Sequence, residues 1–185
     1  IPQNHVQSQN FHAFVSNIGY LDQSNVQLNV NIDHAGSSVF SGSSSTTPIL
    51  TVGAEDSLAI SASYTPSSTG IYDVTFTATQ SEIDDVISNN SISLSYNVTD
   101  SIYAIDNDTY GGQWWNQNTL GSGSDPFEIG ALFEITNNDK TQSVSVFIGD
   151  SSDIGVVFEM YVYEYDPSSG TTTFVNQTDS YSSSA

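Results

Sequence analysis

Between Leu58 and Val98 the chain repeats one pattern three times, and that pattern leaves little freedom in what it can form. Leu58-Ala59-Ile60-Ser61-Ala62-Ser63-Tyr64 is followed by the breaker run Thr65-Pro66-Ser67-Ser68-Thr69-Gly70. Next comes Ile71-Tyr72-Asp73-Val74-Thr75-Phe76-Thr77-Ala78-Thr79, and a polar link through Asn89-Asn90 leads to Ile92-Ser93-Leu94-Ser95-Tyr96-Asn97-Val98. Apolar residues take every second position, with Ser, Thr, Asn or Asp mostly between them. A pleated strand turns successive side chains to opposite faces, so a period of two describes a half-buried antiparallel sheet. Upstream, Val26, Leu28, Val30 and Ile32 repeat the alternation. The chain is rich in Val, Ile, Tyr, Phe and Thr and poor in Lys, Arg, Glu and Met, so an all-β protein is expected.

Charge narrows the range of partners. The chain has 21 acidic residues, a single Lys or Arg (Lys140) and a formal net charge of -20. Such a surface repels phosphate backbones and anionic lipid headgroups, so no nucleic acid partner is expected. No stretch approaches the roughly 20 apolar residues that cross a bilayer, so no membrane insertion is expected either. Cysteine is absent, which removes disulfides, thiol catalysis and thiolate metal sites together. A surface dominated by Ser, Thr, Asn and Asp points to an extracellular bacterial protein, although solubility by self-repulsion accounts for the charge equally well. The sequence opens on Ile1 with no leading Met or signal-peptide pattern, as a processed product or a fragment would.

Read in order, residues 1–8 are polar and are expected to be a linker or a frayed first strand. Phe11 to Val15 reads as a strand ending at Ser16-Asn17-Ile18-Gly19, and Val26 to Ile32 as the next. Ser37 to Thr47 reads as an exposed Ser/Gly/Thr loop around a short Val39-Phe40 edge strand. Pro48 to Gly53 leads through a turn at Glu55-Asp56 into the three repeated segments. Six or seven short strands at this spacing imply a sandwich, because each sheet has to bury its apolar face against another.

Val15-Ser16-Asn17-Ile18-Gly19, Leu50 to Gly53, Tyr64-Thr65-Pro66, Gly70-Ile71-Tyr72 and Asn89-Asn90 occur in that order. In this the first hundred residues resemble the bacterial cell-adhesion-related immunoglobulin-like domain (CARDB). The resemblance implies an Ig-like β-sandwich over residues 1–100 with adhesion as its context. Gly19 and Gly70 suit turns that need a permissive backbone, and Asn tolerates left-handed geometry or caps a loop. Tyr72, at the head of its strand, is placed to return its hydroxyl to nearby backbone as a tyrosine corner.

A second unit, residues 101–185, is expected to begin after the break at Thr99-Asp100-Ser101. Strands are expected at Ile102 to Ile105, Phe127 to Ile135, Ser143 to Ile148, Gly155 to Tyr165 and Thr172 to Val175. In Met160-Tyr161-Val162-Tyr163-Glu164-Tyr165 three tyrosines share one face. This part is similar to the jelly-roll-like sandwiches beside Ig-like modules in large secreted surface proteins of Bacteroidetes-type bacteria. About five strands fall short of the eight of a closed jelly roll, so the sandwich is expected to be truncated or completed by another chain. That resemblance also implies O-glycosylation at Ser57 and Ser101, each within Asp-Ser followed by an aliphatic residue. Sequons at Asn89, Asn97, Asn107 and Asn176 are as frequent as chance gives in a chain so rich in Asn, Ser and Thr.

Candidate chemistry is sparse. His5, His12 and His34 stand without a G-x-S-x-G nucleophile or an H-E-x-x-H pair, and scattered carboxylates read as a solvated face, so no enzyme is expected. No cofactor is called for beyond calcium: Asp106 and Asp108, and Asp150 and Asp153, set oxygen ligands in loops, where Asp and Asn equally serve as turn formers. Tyr110, Trp114 and Trp115 could stack on sugar rings, although adjacent residues in a strand face opposite ways and packing accounts for at least one Trp. The function expected is a non-catalytic adhesion or spacer segment, extracellular or at the cell surface, of a larger bacterial protein. Its partners would be other parts of that protein, neighbouring subunits or polysaccharide. A carbohydrate-binding module and a fibre subunit assembled by strand complementation are the alternatives.

Overall fold

The computed structural model describes residues 1–104, 130–145 and 157–182, and every structural statement below concerns those residues. They fall into two compact units. The first holds 1–104 with 130–137, and the second holds 138–145 with 157–182. Strands pair antiparallel throughout, so the protein is all-β as its alternation requires.

In the first unit the strands are β1 (His12–Ser16), β2 (Gln23–His34), β3 (Ser37–Ser43), β4 (Thr47–Leu50), β5 (Glu55–Ala59), β6 (Gly70–Thr79) and β7 (Ser91–Val98). The main sheet runs β3-β2-β6-β7, and β4 also pairs with β2. The register explains the double use of β2. Its C-terminal half, Asn29 to His34, pairs with β3, and Gln23 to Val26 pairs with β4. Thus β3 and β4 are two lengths of one edge, interrupted at residues 44–46. The smaller sheet is β1 beside β5, from Ala13 opposite Leu58 to Ser16 opposite Glu55. With β1 and β5 as B and E, the main sheet has the order C′-C-F-G of an immunoglobulin-type sandwich.

Alternation places the core as expected. Val26, Leu28, Val30 and Ile32 of β2 and Tyr72, Val74 and Phe76 of β6 are buried against Phe11, Leu58 and Ile60 from the other sheet. Close packing of this kind accounts for most of the unit's stability. Tyr72 forms the expected corner: its hydroxyl donates to the Ser68 carbonyl at 2.9 Å, and its ring stacks between His34 and Tyr96 with centroids 4.2 and 5.3 Å away. Gly70 has φ +127, and a Cβ there would meet Cε1 of His34 at 2.7 Å, so both conformation and space require glycine. Tyr72→Phe should keep the ring stack and lose the hydroxyl's bond, lowering stability by about 1 kcal/mol. In a urea titration the midpoint should fall by about 0.5 M with the slope unchanged.

Several expectations need correcting. Residues 1–8 are no linker: Pro2 bridges Thr99 in parallel, Gln3 N–H donates to Thr99 O at 2.8 Å, and a 3-10 turn over Gln3–His5 buries His5. Ser37 to Ser43 is a full strand rather than a loop, because β2 offers it a long edge after the tight Ala35-Gly36 turn, where φ is +50 and +77. Glu55-Asp56 begins β5 rather than forming a turn, and the chain beyond Ala59 keeps only bridges at Ile60 and Tyr64. Gly19 does not have positive φ; its N–H donates to Oδ1 of Asn17 at 3.0 Å.

The second unit contributes β8 (Val157–Phe158), β9 (Tyr161–Asp166), β10 (Thr171–Gln177) and β11 (Tyr181–Ser182). They pair as β9 with β10 and β8 with β11. The stretch expected as one strand from Gly155 to Tyr165 is broken at Met160, whose N–H donates to Oγ1 of Thr178. Tyr161, Tyr163 and Tyr165 are exposed as their alternation implies. The described parts of the other expected strands, 102–104, 130–135 and 143–145, carry no ladder. The remainder of the expected jelly roll lies outside the described residues.

Candidate functional site

The proposed sugar-stacking residues Tyr110, Trp114 and Trp115 lie outside the described residues, as do the proposed calcium ligands Asp106, Asp108, Asp150 and Asp153. Among the described residues no group of three or more His, Asp or Glu side chains could hold a metal ion. Ser57, on β5, and Ser101, in a bend, are both exposed. Of the sequon asparagines, Asn89, Asn97 and Asn176 are exposed, and Asn107 lies outside the described residues.

The structure gives the three histidines separate places. His5 is buried, and its Nδ1 accepts from the backbone N–H groups of Thr136 and Asn137, each at 3.3 Å. His12 is exposed on β1. His34, at the end of β2, lies with Nδ1 2.9 Å from the Ile71 carbonyl and Nε2 3.1 Å from Oγ of Ser68. A carbonyl only accepts, so Nδ1 carries a proton and donates to Ile71 O. With the ring stacked on Tyr72, this arrangement locks the corner.

The feature with functional consequence is an imbalance between the two sheets. The main sheet is four strands wide and the smaller sheet two. The Ser44–Ile60 bridge sets β5 toward the β3 side, so the unpaired edge of β1 faces the β7 side. The end of the sandwich beneath that edge is open. Ile92 and Leu94 pair with Phe76 and Val74 and share their inward face, yet they are 65% and 48% exposed, against 9% and 2% for their partners. A cleft lined by Ile1, Gln9, Phe11, Phe76, Leu94 and Tyr96 occupies this end. None of these side chains is charged. Alternation along β7 predicts a half-buried strand with Ile92 and Leu94 on the covered face; the structure leaves both exposed because the opposite sheet has two strands among the described residues.

Tyr96 marks the inner wall of the cleft. Burial pushes its hydroxyl up to about 12, and the nearby Tyr64 and Tyr72 add to the shift. Ionisation is therefore costlier in the folded state than in the unfolded chain, where the ordinary value is 10.0. The stabilisation is fully present below pH 10 and is lost as pH rises through about 12. In an ultraviolet titration, Tyr96→Phe should remove the step near pH 12 and lessen the loss of stability between the two values.

The outward face of the main sheet is largely polar, although Ile71 of β6 and Ile49 of β4 are exposed on it. Oγ1 of Thr75 and Oγ of Ser93 are 3.0 Å apart, as are Oγ1 of Thr77 and Oγ of Ser91. Asn29 donates to Thr79 at 3.1 Å and accepts from Ser43 at 2.7 Å. Ser95 donates to Asp73 at 2.5 Å. Cross-strand pairs of this type reinforce a sheet while leaving hydroxyl and amide groups facing water. Comparison of the chain with protein-family models, with curated proteins and with solved structures found no match.

Proposed function

We propose that this chain is a non-catalytic adhesion or spacer segment of a larger bacterial protein, working outside the cell or at its surface. The observation that carries the reading is the hydroxyl- and amide-lined outer face over β2, β6 and β7, in which the side chains brace the sheet. Such a face is strongly hydrated, carries little positive charge and presents hydrogen-bonding groups in rows. It suits display in an extracellular matrix and contact with polysaccharide. The CARDB-like order of motifs and the immunoglobulin-type strand order agree with this use, although a fold by itself does not fix a function. The test is protease shaving of intact source cells followed by peptide mapping. Release of peptides from the first unit supports the reading, and recovery only after lysis refutes it.

The fibre alternative gains support from the second unit. None of its described residues is buried, including Val157, Phe174, Val175 and Tyr181. Apolar side chains left exposed in this way gain from burial against another chain.

A further inference from the structure

We propose that the cleft between the free edge of β1 and the inner face of β7 receives a β-strand from a second copy of this chain, and that the donor is Gly130–Ile135. The proposal deepens the fibre alternative by placing an acceptor in the first unit and naming the strand that fills it.

The acceptor has what strand addition requires. The far edge of β1, opposite β5, has no strand partner among the described residues. Backbone N–H and C=O groups on such an edge are ready to pair. Beneath the edge lie Ile92 and Leu94, apolar and uncovered, with Phe76 beside them. Natural sheets guard open edges with Lys, Pro or inward charges. Here β1 reads His-Ala-Phe-Val-Ser and β7 Ser-Ile-Ser-Leu-Ser-Tyr-Asn-Val, with no Lys, Pro or carboxylate in either. A third strand in the smaller sheet would cover β7 as the A strand of an ABED sheet does.

The donor has the complementary pattern. Gly130-Ala131-Leu132-Phe133-Glu134-Ile135 places Ala131, Phe133 and Ile135 on one side and Gly130, Leu132 and Glu134 on the other. It therefore has an apolar face for Ile92 and Leu94 and directs its one carboxylate away from them. The segment has strand chemistry and no ladder; Leu132 is 71% exposed and Ile135 55%, while Phe133 rests against the ring of Tyr103, centroids 5.4 Å apart, a contact it exchanges for the cleft. Its far end is held by hydrogen bonds from Thr136 and Asn137 to His5, so in its own chain it is placed without filling the cleft. Extended, six residues span about 20 Å, enough to run along Gln9, Asn10 and Phe11, which line the cleft, and on to the start of β1. The obstacle is charge, since each copy carries -20. The side chains lining the cleft are uncharged and the Ile1 ammonium is bonded to Asn97 O, so salt removes the long-range repulsion and leaves the apolar contact intact, the screening length falling from about 10 Å at 0.1 M to about 3 Å at 1 M.

The absence of cysteine makes the test direct. Full-length Leu94→Cys and Phe133→Cys chains are mixed in 1 M NaCl, oxidised mildly and resolved without reductant. The 94–133 cross-link between chains should form several-fold faster than one between Leu94→Cys and Leu132→Cys, because Leu132 faces away. Equal rates, a predominance of 94–94 homodimers, or cross-linking within one chain of the double variant at high dilution would overturn the proposal. Light scattering on the cysteine-free protein separates this from the broader reading. Oligomers that persist unchanged in Leu94→Glu refute the cleft and leave the fibre alternative standing. A monomer of 19.9 kDa at every salt concentration refutes both.

Discussion

Ile32→Ala should destabilise the first unit by about 3 kcal/mol and lower its thermal midpoint by about 10–25 °C. Ile32 is 0% exposed, on the central strand β2, and its inner neighbours are Val30 along the strand and Val74 opposite. Truncation to alanine removes three carbons from a site closed on both sides by paired strands, so little collapse can refill the space. The informative control is Ile92→Ala, the same change on the same sheet face. Ile92 is 65% exposed, and its truncation should alter stability by about 0.5 kcal/mol or less. Circular dichroism melts of the two variants beside the parent protein decide the matter. Equal losses would mean that the end of the sandwich near β7 is closed, and the cleft would not exist.

The second large effect is expected at Asn17. Its side-chain amide donates to the carbonyls of Leu21 and Leu50, each at 2.9 Å, and its Oδ1 accepts from Gly19 N–H at 3.0 Å. Its backbone closes the same junction by donating to Ala54 O at 2.9 Å and accepting from Gly53 N–H at 2.8 Å. One buried residue thus joins the ends of β1, β4 and β5. Asn17→Ala removes the side-chain bonds and leaves the Leu50 carbonyl without this donor in a buried setting, which should cost about 2–3 kcal/mol. Asn17→Asp should cost at least as much, because it replaces two donors with acceptors facing carbonyl oxygens. Amide hydrogen exchange in β4 and β5 should accelerate in both variants before that in β6. Uniform acceleration would show instead that the junction has no local role.

How far the sequence revealed all this depends on the kind of signal. The inward face of β2, the strand β6 and the Tyr72 corner were readable because alternation and a turn residue at a strand head are local patterns. The role of Asn17 was only half readable. Its motif was visible, and of the two expected uses, left-handed backbone and loop capping, the bond from Gly19 N–H to Oδ1 fits the second, while the residue that adopts positive φ in this region is Asn25 at 52°. A buried hydrogen-bond hub depends on three loops meeting, which spacing along one chain does not encode. The open cleft was invisible for a related reason: Ile92 and Leu94 have the pattern of core residues, and their exposure follows from how many strands the opposite sheet contains. Of the residues first singled out for ligands, Tyr110, Trp114, Trp115, Asp106, Asp108, Asp150 and Asp153 all fall outside the described residues. The bonding in the first unit instead centres on Asn17, Tyr72, His34 and Ser68.

The pairing of Ile1 to Gln3 with the end of β7 also has a mechanical side. Gln3 N–H donates to Thr99 O at 2.8 Å, Thr99 N–H to Ile1 O at 2.9 Å, and the Ile1 ammonium to Asn97 O at 2.9 Å. The two segments run parallel. Tension that draws residue 1 and residue 100 apart therefore acts along the strands and loads these bonds together in shear, instead of opening them one after another. Pulled this way the first unit yields as a clasp under shear, and the strands between Val6 and Asn97 carry no load until that clasp has parted.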